Sequence, residues 1–314
     1  MRKYIDSYII ADTKNMSREE WLKWRQIGIG GSDASCIAGL NPWSTPVKIY
    51  MSKKTEQVTN ETSYRMEIGN KLEDFVAREF AEKTGKKVRI INGILKNDKY
   101  PFALANIDRA IVGEKAFLEC KVTNSYAKKE WEEGVPIHYE IQCLHYMAIT
   151  GATHCYIAAL IGNADFIWHR IERDEDTIKN LMSIEKDFWE QYVEKDIVPE
   201  PDGSQEYSDY LKDKYKDTIG DEIEIDINET IISRYDQINV LIKELELEKK
   251  TIEQQIQEKM GLNEIAKIGE RKITWKVSNR NSIDSKKMKA EIPDIIEKYM
   301  KTTSSRTLRI GGVK

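Results

Sequence analysis

No apolar run in the 314 residues approaches the roughly eighteen that cross a bilayer, so no membrane-spanning helix is expected. The opening Met1-Arg2-Lys3-Tyr4-Ile5-Asp6 has no apolar core of secretory-signal length, and a cytoplasmic location is the expectation. Cysteine is scarce: Cys36, Cys120, Cys143 and Cys155 show neither Cys-x-x-Cys spacing nor grouping with histidine, which argues against zinc or an iron–sulfur cluster. The four histidines, His138, His145, His154 and His169, have no carboxylate or serine at a spacing that suggests a triad, and none is assigned a catalytic role. An excess of positive charge is missing too. With 49 Lys and Arg against 53 Asp and Glu, the net charge of −4 excludes a protein that coats nucleic acid nonspecifically. Any contact with DNA must come from a local basic surface.

What is present fits one sizeable core with an appendage. Apolar content of 40% and charged content of 32% suit a soluble globular domain with a polar helical extension. Ser17 with Glu20 forms a capping-box pattern at a helix start, and Gly28-Ile29-Gly30-Gly31-Ser32-Asp33 breaks the chain before a second short helix capped by Ser32 or Asp33. Leu72, Phe75, Val76 and Phe80 recur at helical spacing, and Gly85 ends that helix. Two or three strands follow between Lys87 and Val122. A helical stretch from Ser125 is interrupted at Gly134-Val135-Pro136 and resumes to Thr150, and a hairpin turns at 162–165. A further amphipathic helix covers 174–196.

Composition shifts at Pro199-Glu200-Pro201-Asp202-Gly203-Ser204, which places a boundary between a core, 1–202, and an extension, 203–314. In the extension, Ile231, Tyr235, Ile238, Ile242, Leu245, Ile252 and Ile256 step by fours and threes, broken at Lys249. That is a coiled-coil-like seam on a helix over about 227–260. A small hairpin around Gly269, a helix near Lys286 to Met300 and a basic end from Arg306 to Lys314 complete it. An interaction or assembly role is the expectation for this part.

The chemistry concentrates between Asn106 and Val122. In Ala116-Phe117-Leu118-Glu119-Cys120-Lys121-Val122 the alternation is that of a strand, so Glu119 and Lys121 share one face while Leu118, Cys120 and Val122 share the other. A lone Glu-x-Lys is usually a surface ion pair. Here Asp108 lies across a hairpin from Glu119, and two such carboxylates repel unless a cation separates them. Oxygen-only donors suit Mg2+, with Mn2+ as a substitute, and two ions about 4 Å apart could steady both oxygens of phosphodiester hydrolysis. Lys121 would orient or help deprotonate the attacking water, and the carbonyl of Cys120 could add a ligand. Glu73 flanks the apolar stripe of its helix, and Gln142 sits beside an apolar helical face; taken alone, each is equally well read as structural.

Arg25 precedes the glycine turn. That turn would present free amides to an anion, with the Ser32 hydroxyl and the Arg25 guanidinium beside them, although it is not a Walker loop. Tyr8, Trp21, Trp24 and Trp43 could stack on bases, though aromatic residues more often pack in cores.

The order of these pieces resembles the YqaJ-type viral recombinase family: Trp21-x-x-x-Arg25, Gly30-Gly31-Ser32-Asp33, Gly69-x-x-Leu72-Glu73, Ile107-Asp108, Glu119-Cys120-Lys121, and Tyr139-x-x-Gln142 before Gly151. These are phage exonucleases related to that of phage lambda, within the PD-(D/E)xK fold, and the resemblance covers roughly 17–195. It implies an α/β core with a mixed central sheet flanked by helices, followed by a helical, coiled-coil-like extension. It also implies a Mg2+-dependent exonuclease that resects duplex DNA 5′ to 3′ and leaves 3′ overhangs. Asp108 and Glu119, with the Cys120 carbonyl, would be metal ligands and Lys121 the catalytic lysine. Glu73 and Gln142 would complete the site through the metal or its water, and Arg25 and Ser32 would grip the 5′-phosphate. Ile107 stands where the motif's name has proline. The resemblance further implies a single-strand annealing partner of the RecT type, a homo-oligomer that encircles DNA as a ring, and a phage or prophage origin in a bacterial cell. The alternatives are an endonuclease using the same site and a noncatalytic DNA-end-binding adaptor.

Overall fold

The chain begins with a short hairpin, β1 (Lys3–Tyr4) against β2 (Ser7–Ala11). Helix α1 (Arg18–Gln26) starts at the Ser17–Glu20 capping box that the sequence predicts. Helix α2 (Gly31–Ile37) starts differently from expectation. Gly30, rather than Ser32 or Asp33, is its cap, and Asp33 stands in the first turn, where its Oδ2 accepts the Gly30 N–H at 3.0 Å. Helix α3 (Pro46–Lys54), opened by a proline at its first position, was not expected. Helix α4 (Tyr64–Thr84) ends at Gly85, whose φ of 70° gives the left-handed C-terminal turn. The computed structural model describes residues 2–55, 63–302 and 306–311.

Four strands, rather than two or three, follow: β3 (Val88–Ile90), β4 (Ile94–Lys96), β5 (Arg109–Ile111) and β6 (Ala116–Thr123). Strand β4 joins β1 and β2 in a three-stranded sheet. A crossover through α5 (Lys128–Glu133) and α6 (Ile137–Thr150), separated at Gly134-Val135-Pro136 as expected, leads to the hairpin β7 (His154–Ile161) and β8 (Asp165–Glu172). The main sheet has the order β3-β5-β6-β7-β8, and β6 runs parallel to β7 while the other pairs are antiparallel. Parallel pairing demands the long helical crossover, which carries α6 over one face. The expected mixed sheet flanked by helices is therefore present.

The alternation along β6 sorts its side chains into two layers. Leu118 packs with Val76 and Phe80 of α4, and Cys120 and Val122 border the same cluster. Phe117 joins the larger core under α2, α6 and α7 (Glu175–Phe188), which continues as a π-helical turn to Glu194. Glu119 and Lys121 share the side of Phe117 and so face α6.

The first compact unit runs from Met1 to Tyr215, past the expected boundary at 202. Ser204 caps a further helix, α8 (Gln205–Lys214), which packs on α3, with Glu206 3.9 Å from Lys48. The second unit, Lys216–Lys314, holds α9 (Glu229–Met260) and the hairpin β9 (Ile265–Ile268) and β10 (Arg271–Thr274), turned at Gly269. The last helix, expected as one, is two: α10 (Ser285–Glu291) and α11 (Pro293–Tyr299), since Pro293 cannot continue a helix but can start one. Of the basic end, 312–314 lie outside the described residues. Among the described residues, no helix is long and apolar enough to cross a membrane.

Candidate functional site

Asp108 immediately precedes β5, at the point where that strand has not yet begun to pair with β6. Its Oδ2 takes the place of a strand carbonyl and accepts the Cys120 N–H at 2.7 Å. In an extended strand the N–H and C=O of one residue point to the same side, so the Cys120 carbonyl faces the Asp108 side as well. On the α6 face, Lys121 Nζ donates to Glu119 Oε1 at 2.7 Å and to Gln142 Oε1 at 2.9 Å, and Gln142 Nε2 donates to Glu119 Oε1 at 2.7 Å. Gln142 also donates to the Tyr146 hydroxyl at 3.2 Å, and the Lys121 ammonium lies 4.8 Å from the centre of the Tyr139 ring. The second carboxylate oxygen of Glu119, Oε2, is buried and has no hydrogen-bond partner among the described residues.

Glu73 reaches this cluster from α4. Its Oε1 accepts from Arg109 Nη1 at 2.5 Å, and the same nitrogen donates to the Asp108 carbonyl at 2.7 Å. Arg109 is 5% exposed, and the sequence reading missed it because a basic residue beside a turn looks solvated. The electrostatics are those of crowded acids. Burial first, then Glu119 and Glu73, push the Asp108 carboxyl well above the usual range, although the residue as a whole is only half-buried. Burial also raises Glu119 against the pull of Lys121. For Lys121, burial favours proton loss, but Glu119 and Asp108 outweigh it and hold the proton more firmly than usual. Among the described residues, no three His, Cys, Asp or Glu side chains are grouped so as to hold an ion by themselves. The donors brought together are two carboxylates and a main-chain carbonyl, with Glu73 held to one side by Arg109.

A second charged cluster adjoins the first. Arg25 Nη2 donates to Ser32 Oγ at 3.0 Å, so the two residues expected to act together do meet. The same nitrogen is bonded to Asp33, which was not expected as a partner, and Lys53 donates to the other Asp33 oxygen at 2.6 Å. The Gly30 amide is consumed by Asp33, so that amide of the glycine turn is not free. Burial works against the Asp33 carboxylate, but Arg25 and Lys53 outweigh it and bring it down to about 2. Arg25 and Ser32 line a pocket of about 60 Å³ together with Trp21, Trp24, Asn106 and Tyr146. The pocket and the first cluster are neighbours because residue 31 is glycine: a Cβ there would collide with the Tyr146 ring and with Gln142 Cγ. Lys53 gave no sequence signal, since Ser52-Lys53-Lys54 reads as a solvated basic run.

Of the aromatic candidates, Trp21 and Trp24 line the Arg25–Ser32 pocket, and Tyr8 lies outside both clusters. Tyr8 is bonded to Asp98 at 2.8 Å, and Trp21 packs against the guanidinium groups of Arg18 and Arg25. Trp43 is 66% exposed and sits edge-on to His138. His138 borders the first cluster, and burial followed by Lys121 lowers it to about 4. His145 is fully buried, with Nδ1 2.8 Å from Glu185 and Nε2 3.0 Å from the Leu104 carbonyl, which ties α6 to α7.

A model of the YqaJ-like viral recombinase domain matches residues 20–153, a span that contains every expected site residue from Arg25 to Gln142. The uncharacterized protein YqaJ of Bacillus subtilis (strain 168) is 42% identical over 309 residues, covering 96% of this chain and 97% of that protein. Among solved structures, an alkaline exonuclease from Laribacter hongkongensis is similar at a TM-score of 0.49 and 20% identity, covering 63% of this chain and 98% of that one. A phage-related exonuclease from Haemophilus somnus 129PT is similar at a TM-score of 0.42 and 14% identity, over 56% of this chain and 99% of that one. With a relative this similar over nearly its full length, the chain belongs to the YqaJ-like viral recombinase family.

Proposed function

We propose that this chain is a Mg2+-dependent exonuclease that resects double-stranded DNA ends 5′ to 3′ and leaves 3′ single-stranded overhangs. The observation that carries the reading is the buried, unpartnered Oε2 of Glu119, set beside Asp108 and next to a lysine already committed to Glu119 and Gln142. A buried carboxylate oxygen with no partner is costly, and crowded oxygen donors are what a hard divalent cation relieves. Asp108, Glu119 and the Cys120 carbonyl would hold Mg2+ or Mn2+, with Glu73 within reach; when bound, the ion supplies charge to the phosphoryl oxygens and acidity to the attacking water.

The remaining work falls to side chains. Gln142 fixes Glu119 and Lys121 relative to each other, so neither reorganises as charge develops. Lys121, with its proton firmly held, offsets phosphate charge and orients the water. Arg25 and Ser32 bind a 5′-terminal phosphate, and their adjacency to Gln142 through Gly31 supports cleavage close to that end. A single-strand annealing protein of the RecT type is the partner that would use the exposed 3′ strand. Assembly into a ring around DNA is the matching oligomeric proposal, with the α9 seam as one candidate for assembly or partner binding.

End-labelled linear duplex, incubated with and without Mg2+ and read by strand polarity, tests this. Mononucleotides should be released from the 5′ end only when Mg2+ is present, and a covalently closed plasmid should survive. Cutting of the circle would favour an endonuclease, and binding without hydrolysis an adaptor.

A further inference from the structure

Lys53 is a lysine with a side chain only 1% exposed, and each of its bonds is internal. Its ammonium donates to the carbonyls of Arg25 at 2.8 Å and Gly28 at 2.9 Å, and to Asp33 Oδ2 at 2.6 Å. Burying an ammonium is unfavourable, and an apolar side chain would pack α3 without that cost. The charge therefore needs a reason beyond packing, and the neighbours supply one. Asp33 Oδ1 fixes one end of the Arg25 guanidinium, while Ser32 shares the same nitrogen. Such a carboxylate aims the arginine, but alone it would also neutralise it, and a neutral pair attracts phosphate weakly. Lys53 cancels Asp33 from the buried side and does not line the pocket formed by Trp21, Arg25, Ser32 and Asn106. Arg25, a third exposed, is left as the net positive charge facing outward.

We infer that Lys53 is a positioning residue for 5′-phosphate specificity: it balances Asp33 so that Arg25, aimed by that carboxylate, remains a net cation toward the terminal phosphate. The inference rests on the proposed reading of the Arg25–Ser32 pocket. The Asp33 carboxylate stays ionised down to about pH 2, so the balance holds throughout the range in which a nuclease works.

The test is a charge-balance cycle on the full chain, read by fluorescence anisotropy without divalent cation so that no strand is cut. The quantity measured is the ratio of Kd values for the same duplex carrying a 5′-hydroxyl or a 5′-phosphate. The unaltered chain should prefer the phosphate on the order of tenfold, as a charged hydrogen-bonding site does. Lys53→Gln leaves Asp33 uncompensated and should bring the ratio to within about twofold of unity. Adding Asp33→Asn to Lys53→Gln restores neutrality without restoring the lysine's bonds to the loop, and should recover most of the preference. A merely structural lysine predicts the reverse: affinity for both ends falls together, and the double variant is no better than the single. Either result would overturn the inference. Should Lys53→Gln fail to fold, the double variant decides alone: a retained phosphate preference supports the balance, and loss of it refutes the idea. An unaltered chain that cleaves ends but ignores the 5′-phosphate would sink the pocket reading and this inference with it. Intact phosphate preference in Lys53→Gln would sink only the latter.

Discussion

Asp33 and Asp108 are the same residue type, both with carboxylates enclosed in the first unit, and burial pushes both in the same direction. Their neighbours send them to opposite ends. Asp33 has Arg25, Lys53 and the Gly30 amide, and is held down at about 2. Asp108 has Glu119 and Glu73 against Lys121 and one amide, and is pushed well above the ordinary range. One cluster is closed, since its acid is satisfied by the protein alone: Lys53 balances Asp33, and Arg25 is left as the net cation. The other holds three carboxylates, Asp108, Glu119 and Glu73, against Lys121 and Arg109, and leaves Glu119 Oε2 with no hydrogen-bond partner among the described residues. A closed cluster is suited to holding geometry, and an open acidic one to receiving a cation. Even His145 and Glu185, buried deeper than either, form a closed pair and so need no ligand.

The sharpest way to break the comparison is Lys121→Ala. If the open cluster is catalytic, Mg2+-dependent release of nucleotides should fall by roughly a thousandfold, within the span that positioned proton-transfer and charge-stabilising groups supply. An unchanged rate would remove Lys121 from the chemistry. Asp108→Asn comes next. Activity should drop at least about a hundredfold, yet the variant should melt higher than the unaltered chain in EDTA, because an unwelcome buried charge is gone. For a unit of this size a gain of about 1 kcal/mol appears as a rise of roughly 2–4 °C. Lower melting would place Asp108 among the satisfied acids with Asp33.

Proton linkage separates the two acids by pH. Asp33 is lowered from 3.8 to about 2, so its contribution is present above pH 4 and is lost as pH falls toward 2. That contribution is roughly 2 kcal/mol by the free-energy value of a pKa unit. Asp108 and Glu119 are raised, so without a divalent cation the native state gains protons relative to the unfolded chain, and stability declines as pH rises from the ordinary carboxylate range. Urea unfolding in EDTA across pH should show Asp33→Asn flattening the acid limb and Asp108→Asn flattening the limb above it.

Much of this was legible where the signal is local. The alternation along 116–122 places Glu119 and Lys121 on one face, and Asp108 reaches Glu119 because a hairpin joins them. Gly85 and Gly269 end a helix and turn a hairpin at positions only such residues adopt easily. What stayed hidden is what the crossover and the helices bring together. Gln142 meets Lys121 only because α6 lies over β6, a contact that spacing cannot show; the family resemblance implied a place in the site for Gln142 but not this bond. Lys53 and Arg109 are basic residues turned inward, and a pattern that counts basic residues as solvated cannot find them. Helix α3 went unseen for a related reason: its inward positions, Val47, Ile49, Tyr50 and Lys53, include that charge. The boundary slipped because α8, polar by composition, is anchored by packing on α3.

Arg25→Ala tests the closed cluster at a smaller scale. Preference for 5′-phosphorylated over 5′-hydroxyl ends should fall about tenfold, with kcat on hydroxyl ends little changed. Equal losses on both ends would mean that the cluster supports the fold and nothing more.

The smallest effect on chemistry is expected from the second unit, where the contrast is inverted: among its described residues, most of the apolar seam of α9 is exposed. Along α9, Leu245 is 63% exposed and Ile238 is 40% exposed, both in the seam that steps by fours and threes. An exposed leucine contributes little to its own unit, so Leu245→Lys should alter unfolding free energy by no more than about 0.5 kcal/mol. A lysine in a seam paired with another helix buries an unpartnered charge, which is far more costly. The cleavage rate on short duplexes should therefore stay within about twofold, while the mass measured by sedimentation equilibrium falls if α9 mediates assembly. An unchanged mass would leave the seam to a partner other than a second copy, and a large loss of cleavage would show that the open cluster depends on α9 for its shape.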